Sequence, residues 1–289
     1  MSLLLSRFLQ LVSLFSALFL GGLPAAQATL ADTPLAMKPQ SPIDIRSDNV
    51  TFVKDLPALE FNFSSNTALD VINNGSPDAE KTVRANVPVG AGTLTLFGHE
   101  WDLVQFHFHT PSEHTLNDHA SALEMHLVFG DAADQLLVVS RWIESGSFNS
   151  ALDPIFSHLP QTTTDHLAVN PFDLNTLLPS SLQSFRYTGS LTTPPFTEGV
   201  RWIQLAQPLD LSQGQINAFH SLFPQGDAGD TQLLNGRVIL TDVPGFTSAV
   251  PEPEIHAMLL FGLGLIGFVA SRQNRWHSAK SGVLRIPTA

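Results

Sequence analysis

The sequence predicts a mainly β domain: a largely antiparallel, twisted central sheet with a few short peripheral helices. Three observations carry this. Short stretches alternate apolar and polar residues at the period of a strand, as in Leu59-Glu-Phe-Asn-Phe63 and Gln105-Phe-His-Phe-His109. Turn signals such as Asn73-Asn-Gly75 fall between them. Helical spacing is confined to brief segments, and no alternation of strands with long helices sets up a parallel sheet.

Taken in order, residues 1–28 read as a secretory signal. Arg7 is the sole charge, Phe8 to Leu20 is an apolar core, and Ala26-Gln-Ala28 supplies the small-x-small cleavage site, so the mature chain is expected to start near Thr29. The β domain spans 29–243. Residues 29–250 hold 24 of the 26 acids and 9 of the 14 bases, a net charge of about −15, which argues against nucleic acid and anionic membrane as partners. The chain has no cysteine. Any metal site must therefore rest on histidine and carboxylate.

The domain opens on Gln40-Ser-Pro-Ile-Asp-Ile45, and the alternations from Phe52 to Ile72 read as strands. Thr93 to Phe97 and Glu100 to His109 form a hairpin turned at Gly98. A polar loop with Pro111, Ser112, Asn117 and Asp118 leads to a strand over Leu123 to Val128. Leu136 to Ile143 is a buried strand. Ser150 to Leu159 has helical spacing, with Leu152, Ile155, Phe156 and Leu159 on one apolar face. Pro171 to Leu182 reads as a loop with one short helical turn. Val200 to Leu205 is a strand, Ser212 to Phe223 a helix capped by Ser212, and Val238 to Leu240 the closing strand.

Because Phe106 and Phe108 alternate with His107 and His109, both imidazoles fall on one face of their strand. Antiparallel pairing with the strand over Leu123 to Val128 brings His126 beside them. Three neutral imidazoles converging on one point are the ligand set of a catalytic zinc whose fourth position is open to water. A His-x-His pair alone is also what a strand with two solvent-facing polar residues looks like. Glu113, Glu124 and Thr192-Thr-Pro-Pro195 weigh against that plainer reading.

Four motifs, Gln40-Ser-Pro-Ile-Asp-Ile45, Gln105-Phe-His-Phe-His-Thr-Pro-Ser-Glu-His114, Glu124-Met-His-Leu-Val128 and Tyr187-Thr-Gly-Ser-Leu-Thr-Thr-Pro-Pro195, make the chain from about Gln40 to Arg237 resemble an α-class carbonic anhydrase. The resemblance implies zinc on His107, His109 and His126, and reversible hydration of CO2 to bicarbonate by hydroxide on that zinc. It makes Gln105 the acceptor that orients His107 and Glu124 the one that orients His126. It makes Thr192 a gatekeeper whose hydroxyl donates to Glu113, and Thr193 a partner of water or bicarbonate. Val128, Val138, Leu191 and Trp202 match the apolar wall that holds CO2. The alternative is a zinc-binding but slow or catalytically silent surface module on the same fold; the retention of all three histidines with Thr192 and Glu113 favours the enzyme.

The chain departs from the family's pattern in places. Ser76 stands where fast members place a proton-shuttling histidine, and His99 and His119 are the first substitutes to consider. The family's Asn-x-Arg-Pro-x-Gln has become Asp227-Ala-Gly-Asp-Thr-Gln232, and the cysteine pair of exported members is missing, with Gly199 at one of its positions. These bear on rate and stability rather than on the metal.

Residues 244–254 form a linker containing Val250-Pro-Glu-Pro253, followed by an apolar helix over 255–271 and a basic tail over 272–289. This end resembles a PEP-CTERM sorting signal. The resemblance implies cleavage by an exosortase and association with the outer surface or exopolysaccharide, hence an exported protein in the periplasm or at the surface of a Gram-negative bacterium. A plain tail anchor is the alternative. The uncharged run Ala257 to Ala270 has 14 residues, short of the about 20 that a stable span needs.

Overall fold

The computed structural model describes residues 38–75 and 81–247. The signal segment, Ser76, Asp78 and Glu80, the Val250-Pro-Glu-Pro253 segment, the apolar run and the basic tail lie outside the described residues. No helix among the described residues is long and apolar enough to cross a membrane.

The strands are β1 (Asp44–Ile45), β2 (Val50–Phe52), β3 (Glu60–Phe63), β4 (Thr67–Asn73), β5 (Val83–Asn86), β6 (Gly92–Leu96), β7 (His99–His109), β8 (Thr115–Leu116), β9 (His119–Ala120), β10 (Leu123–Gly130), β11 (Leu136–Ser145), β12 (His166–Phe172), β13 (Ser184–Ser190), β14 (Glu198–Leu211) and β15 (Ile239–Thr241). A 12-stranded sheet runs β12-β4-β5-β7-β10-β11-β14-β13-β15-β2, with β6 pairing β3 and β7 at one side. Most neighbours are antiparallel, as the turn-rich sequence predicts; β11–β14 and β15–β2 are parallel. A second, 3-stranded sheet is formed by β1, β8 and β9.

Alternation along β7 gives the sheet two unlike faces. Phe106 and Phe108 point into the larger core, joined there by Met125 and Leu127 of β10, Val139 of β11, and Ile203 and Leu205 of β14. Two helices cover this face. In α1 (Asp153–Phe156) Ile155 and Phe156 are buried, and in α2 (Gln213–Leu222) Ile216 and Phe219 are. The Phe108 ring packs edge-on against Phe156 at 5.1 Å and Phe219 at 6.0 Å. Each such buried side chain stabilises the fold by about 1.5–3 kcal/mol relative to leaving it exposed. The opposite face carries His107, His109 and a smaller cluster with Ile43, Val138, Trp142, Tyr187 and Trp202.

Local signals act where expected. Phe97 and Gly98, at φ 55° and 72°, turn the β6–β7 hairpin, the left-handed pair that a two-residue turn needs. Ser212 caps α2, and Gln215 returns a bond to its backbone in a full capping box. The helix expected over Ser150 to Leu159 is shorter, only Asp153–Phe156. Pro154 fits solely its first turn, and Pro160 follows closely. Its apolar stripe is nonetheless buried at Leu152, Ile155, Phe156 and Leu159. Several strands differ from the sequence expectation, which places none at β5, β8, β9, β12 or β13; of these, β12 contains Pro171 and lies at the sheet's end, where a missing N–H is tolerated.

Candidate metal centre

Register builds the site. His107 of β7 lies opposite His126 of β10, and that row continues to Ser140 of β11 and Gln204 of β14. Two residues along, Gln105, Val128, Val138, Trp202 and Tyr187 form a second row across β7, β10, β11, β14 and β13. Two residues the other way, His109 faces Glu124, which faces Trp142. Steps of two keep all three rows on one face of the sheet.

His107, His109 and His126 are buried, and one ring nitrogen from each lies within 4.8 Å of the others. His107 Nε2 and His126 Nδ1 are 3.1 Å apart, close to the roughly 3.3 Å between ligands at 2.0–2.1 Å from one tetrahedral ion. Their outer nitrogens face acceptors. Gln105 Oε1 lies 2.8 Å from His107 Nδ1, and Glu124 Oε1 lies 3.0 Å from His126 Nε2. Burial pushes the His126 imidazole below its ordinary value against the pull of Glu124, which favours the neutral, ligating form. Neutral imidazoles with their outer nitrogens tied to acceptors are a donor set that suits zinc.

Glu124 is fully buried and accepts three hydrogen bonds. Besides that from His126, His114 donates its backbone N–H to Oε2 at 2.7 Å and its Nδ1–H to Oε1 at 2.8 Å. Burial alone would raise the Glu124 carboxyl, but the charges and hydrogen bonds of His114 and His126 outweigh it and hold the group well below the usual carboxylate range. The network continues through His114 Nε2 to Tyr187 Oη at 2.7 Å and on to Ser41 Oγ at 2.8 Å. Burial pushes the Tyr187 phenol upward. His114, Glu124 and His126 also lie close enough to hold an ion, but their close atoms are engaged in these hydrogen bonds.

Glu113 is buried beside the triad. Its Oε1 accepts from the Gly229 N–H at 3.0 Å, and its Oε2 lies 3.7 Å from His109 Nε2 and 3.9 Å from His126 Nε2. The expected hydrogen bond from the Thr192 hydroxyl to Glu113 is not made: Oε2 has no hydrogen-bond partner. Gly229 lies against both residues; a Cβ there would meet Glu113 Oε1 at 3.4 Å and the Thr192 carbonyl at 3.8 Å.

Gln105, His107, His126, Val128, Val138, Leu191, Thr192, Thr193 and Trp202 line one cavity of about 190 Å³. It brings together every residue expected to touch substrate. Trp202 is fixed by donating its indole N–H to the Ser190 carbonyl at 2.9 Å. His99 begins the strand that His107 nearly ends, eight residues away and so about 27 Å along it at the usual rise, and it is paired with Asp131 at 2.9 Å. His119 is exposed on β9.

Three residues of the site have roles that the sequence does not announce. His114 and Tyr187 lie within the motifs, yet their partnership with Glu124 spans distant segments. Asp227 Oδ2 sits 3.6 Å from His109 Nδ1, and no local pattern announces it.

A sequence profile described as eukaryotic-type carbonic anhydrase matches residues 33–239, and one for the PEP-CTERM protein-sorting motif matches residues 249–274. A curated carbonic anhydrase of Neisseria gonorrhoeae is 37% identical over 203 residues, covering 70% of this chain and 77% of the relative. One from Pectobacterium carotovorum is 36% identical over 204 residues, covering 70% and 80%. Among solved structures, the α-carbonic anhydrase of Thermovibrio ammonificans with the inhibitor sulfanilamide has a TM-score of 0.64 at 32% identity, covering 70% of this chain and 86% of that one. A carbonic anhydrase of Chlamydomonas reinhardtii in complex with acetazolamide has a TM-score of 0.64 at 29% identity, covering 77% and 98%.

Proposed function

Given that the chain belongs to the eukaryotic-type carbonic anhydrase family, we propose that it hydrates CO2 reversibly at a zinc ion held by His107, His109 and His126. The observation that carries this reading is one cavity of about 190 Å³ in which two of the three imidazoles adjoin an apolar wall of Val128, Val138, Leu191 and Trp202. Bound zinc supplies a Lewis acid and a water whose pKa is about 7, a value for which carbonic anhydrases are themselves the reference case.

The chain's own residues supply orientation and selectivity. Gln105 and Glu124 accept the outer N–H groups of His107 and His126, so each ring turns a lone pair toward the metal position. The apolar wall accommodates CO2, which has no strong hydrogen bond to lose, and keeps competing water away from it. Thr192 and Thr193 line the same cavity and offer hydroxyls to the polar bicarbonate. Glu113 Oε2, buried and without a hydrogen-bond partner, is the acceptor to which Thr192 would donate on a side-chain rotation. Thr192 is then left only as an acceptor toward the reacting group, which selects the protonated nucleophile.

The test is zinc content of the purified protein together with stopped-flow CO2 hydration, with and without chelator. One zinc per chain and chelator-sensitive hydration are expected, and His109→Ala should lower both. Full occupancy and rate in that variant would overturn the ligand assignment, and stoichiometric zinc without hydration would leave a zinc-binding surface module. Acetazolamide, bound by the algal relative, should inhibit.

The PEP-CTERM motif implies exosortase-type processing and export in a bacterium. In this reading the enzyme is released at the cell surface, where extracellular CO2 and bicarbonate are its substrates. Changing Pro251 and Pro253 to alanine should leave the precursor uncleaved; an unchanged mature mass would count against processing at this motif.

A further inference from the structure

We propose that Asp227 is a positioning residue of the metal centre, the carboxylate that takes the Nδ1–H of His109 when an ion occupies Nε2. This rests on the zinc reading above and adds to it an anionic acceptor on a second ligand.

Four observations converge on it. The Asp227 and His109 side chains are each 2% exposed, with Oδ2 3.6 Å from Nδ1. The carboxylate is held from behind: the Thr110 N–H donates to Oδ1 at 2.6 Å, and the Asp227 N–H donates back to the Thr110 carbonyl at 2.9 Å. Asp227 is thereby pinned to the residue next to His109. Oδ2 is buried without a hydrogen-bond partner. Finally, Gly226 brings the loop against β7 at φ 77°, where a Cβ would come within 2.9 Å of the Thr110 carbonyl. The approach is built, because a side chain at Gly226 would push the loop and its carboxylate away.

A buried carboxylate oxygen without a donor is unfavourable, so something must compensate it in the working protein. At 3.6 Å the contact with His109 is electrostatic and too long for a hydrogen bond. Positive charge at Nε2 polarises the ring and makes Nδ1–H a stronger donor, which draws it toward Oδ2. Ligating imidazoles ordinarily donate their other N–H to such an acceptor. His107 then leans on a neutral amide, and His126 and His109 each lean on a carboxylate.

The test uses Asp227→Asn in the whole protein, since asparagine keeps the acceptor for Thr110 and removes the charge. Zinc release to excess chelator should be about tenfold faster, within the range for such outer partners. The rise in melting temperature on adding zinc should be smaller than in wild type, because that increment reports affinity. The visible bands of the cobalt(II)-substituted protein should shift. A purely structural Asp227 would lower zinc-free and zinc-loaded stability alike, leaving the increment, the release rate and the cobalt spectrum as in wild type; that result overturns the proposal. Asp227→Ala serves as a second variant if the asparagine form folds poorly, with the same three comparisons deciding. Failure of the zinc reading is separate: wild type itself would then bind no zinc.

Discussion

Replacing Glu124 by alanine should unfold the metal centre from within. The carboxylate is fully buried and accepts hydrogen bonds of 2.7 and 2.8 Å from His114 and 3.0 Å from His126. Its removal leaves three buried donors without an acceptor, each costing about 1–3 kcal/mol. Water admitted to the gap restores part of this, so the zinc-free protein should lose roughly 3–6 kcal/mol. Glu124→Gln is milder: its carbonyl still accepts from the rings, but its amide confronts the His114 N–H, a single donor–donor contact of about 1–3 kcal/mol. Both variants should release zinc about 10- to 100-fold faster, the range typical of outer partners of ligating histidines. The pH dependence has a definite sign. The folded carboxyl titrates below its ordinary 4.5, so the unfolded chain binds more protons as the pH falls through that value. The stability Glu124 contributes is complete above it and is lost progressively below it. Glu124→Gln should flatten that acid limb. Urea unfolding of zinc-free protein between neutral and acid pH checks all of this. A Glu124→Ala protein within about 0.5 kcal/mol of wild type, the size of ordinary surface effects, would refute the network.

Two further predictions follow from the loop beside the site and from the missing shuttle. Gly226→Ala places a Cβ at a positive φ and 2.9 Å from the Thr110 carbonyl. It should cost about 2–4 kcal/mol in chemical unfolding, from backbone strain plus the clash, and it should also speed zinc release; a stability loss under about 1 kcal/mol would show that the loop yields freely. Ser76 cannot ionise near neutral pH, whereas an imidazole titrates at about 6.5. Turnover should therefore rise with imidazole buffer, and Ser76→His should raise buffer-independent turnover by roughly tenfold or more. The rate of CO2 and bicarbonate exchange at equilibrium should stay nearly unchanged. Buffer-insensitive turnover with no gain from the histidine would mean that another group exports the proton.

How much was legible in the sequence depends on whether the information was local. The alternation Phe106-His-Phe-His109 fixes which residues face the core and which the site, because a strand has no other way to place them. Pairing β7 with β10 then delivers His126 to His107, and the Gln105 and Glu124 contacts follow from being two residues from their histidines. The parallel pairing of β11 with β14 was not legible, since it depends on contacts between segments far apart in the chain. The same holds for Tyr187 meeting Ser41 and for Asp227 meeting Thr110. Residue types announce a capable donor there, but only the fold selects its partner. The Thr192–Glu113 bond shows the converse: residue types and a motif name both partners, yet Gly229 donates to Oε1 and Oε2 is left without a hydrogen-bond partner, because the rotamer that joins two side chains is not a property of the sequence pattern.

The division of the sheet into two faces explains why such exceptions gather at one place. On the Phe106 and Phe108 face the apolar pattern and the observed burial agree. On the His107 and His109 face, the carboxylates of Glu113, Glu124 and Asp227 are buried around three imidazoles. Two of these carboxylates, Glu113 and Asp227, keep an oxygen without a hydrogen-bond partner. Local rules of folding disfavour such an arrangement. A cation at the point where the three histidines meet would offset this negative charge, and departures from local rules of this kind gather at functional sites.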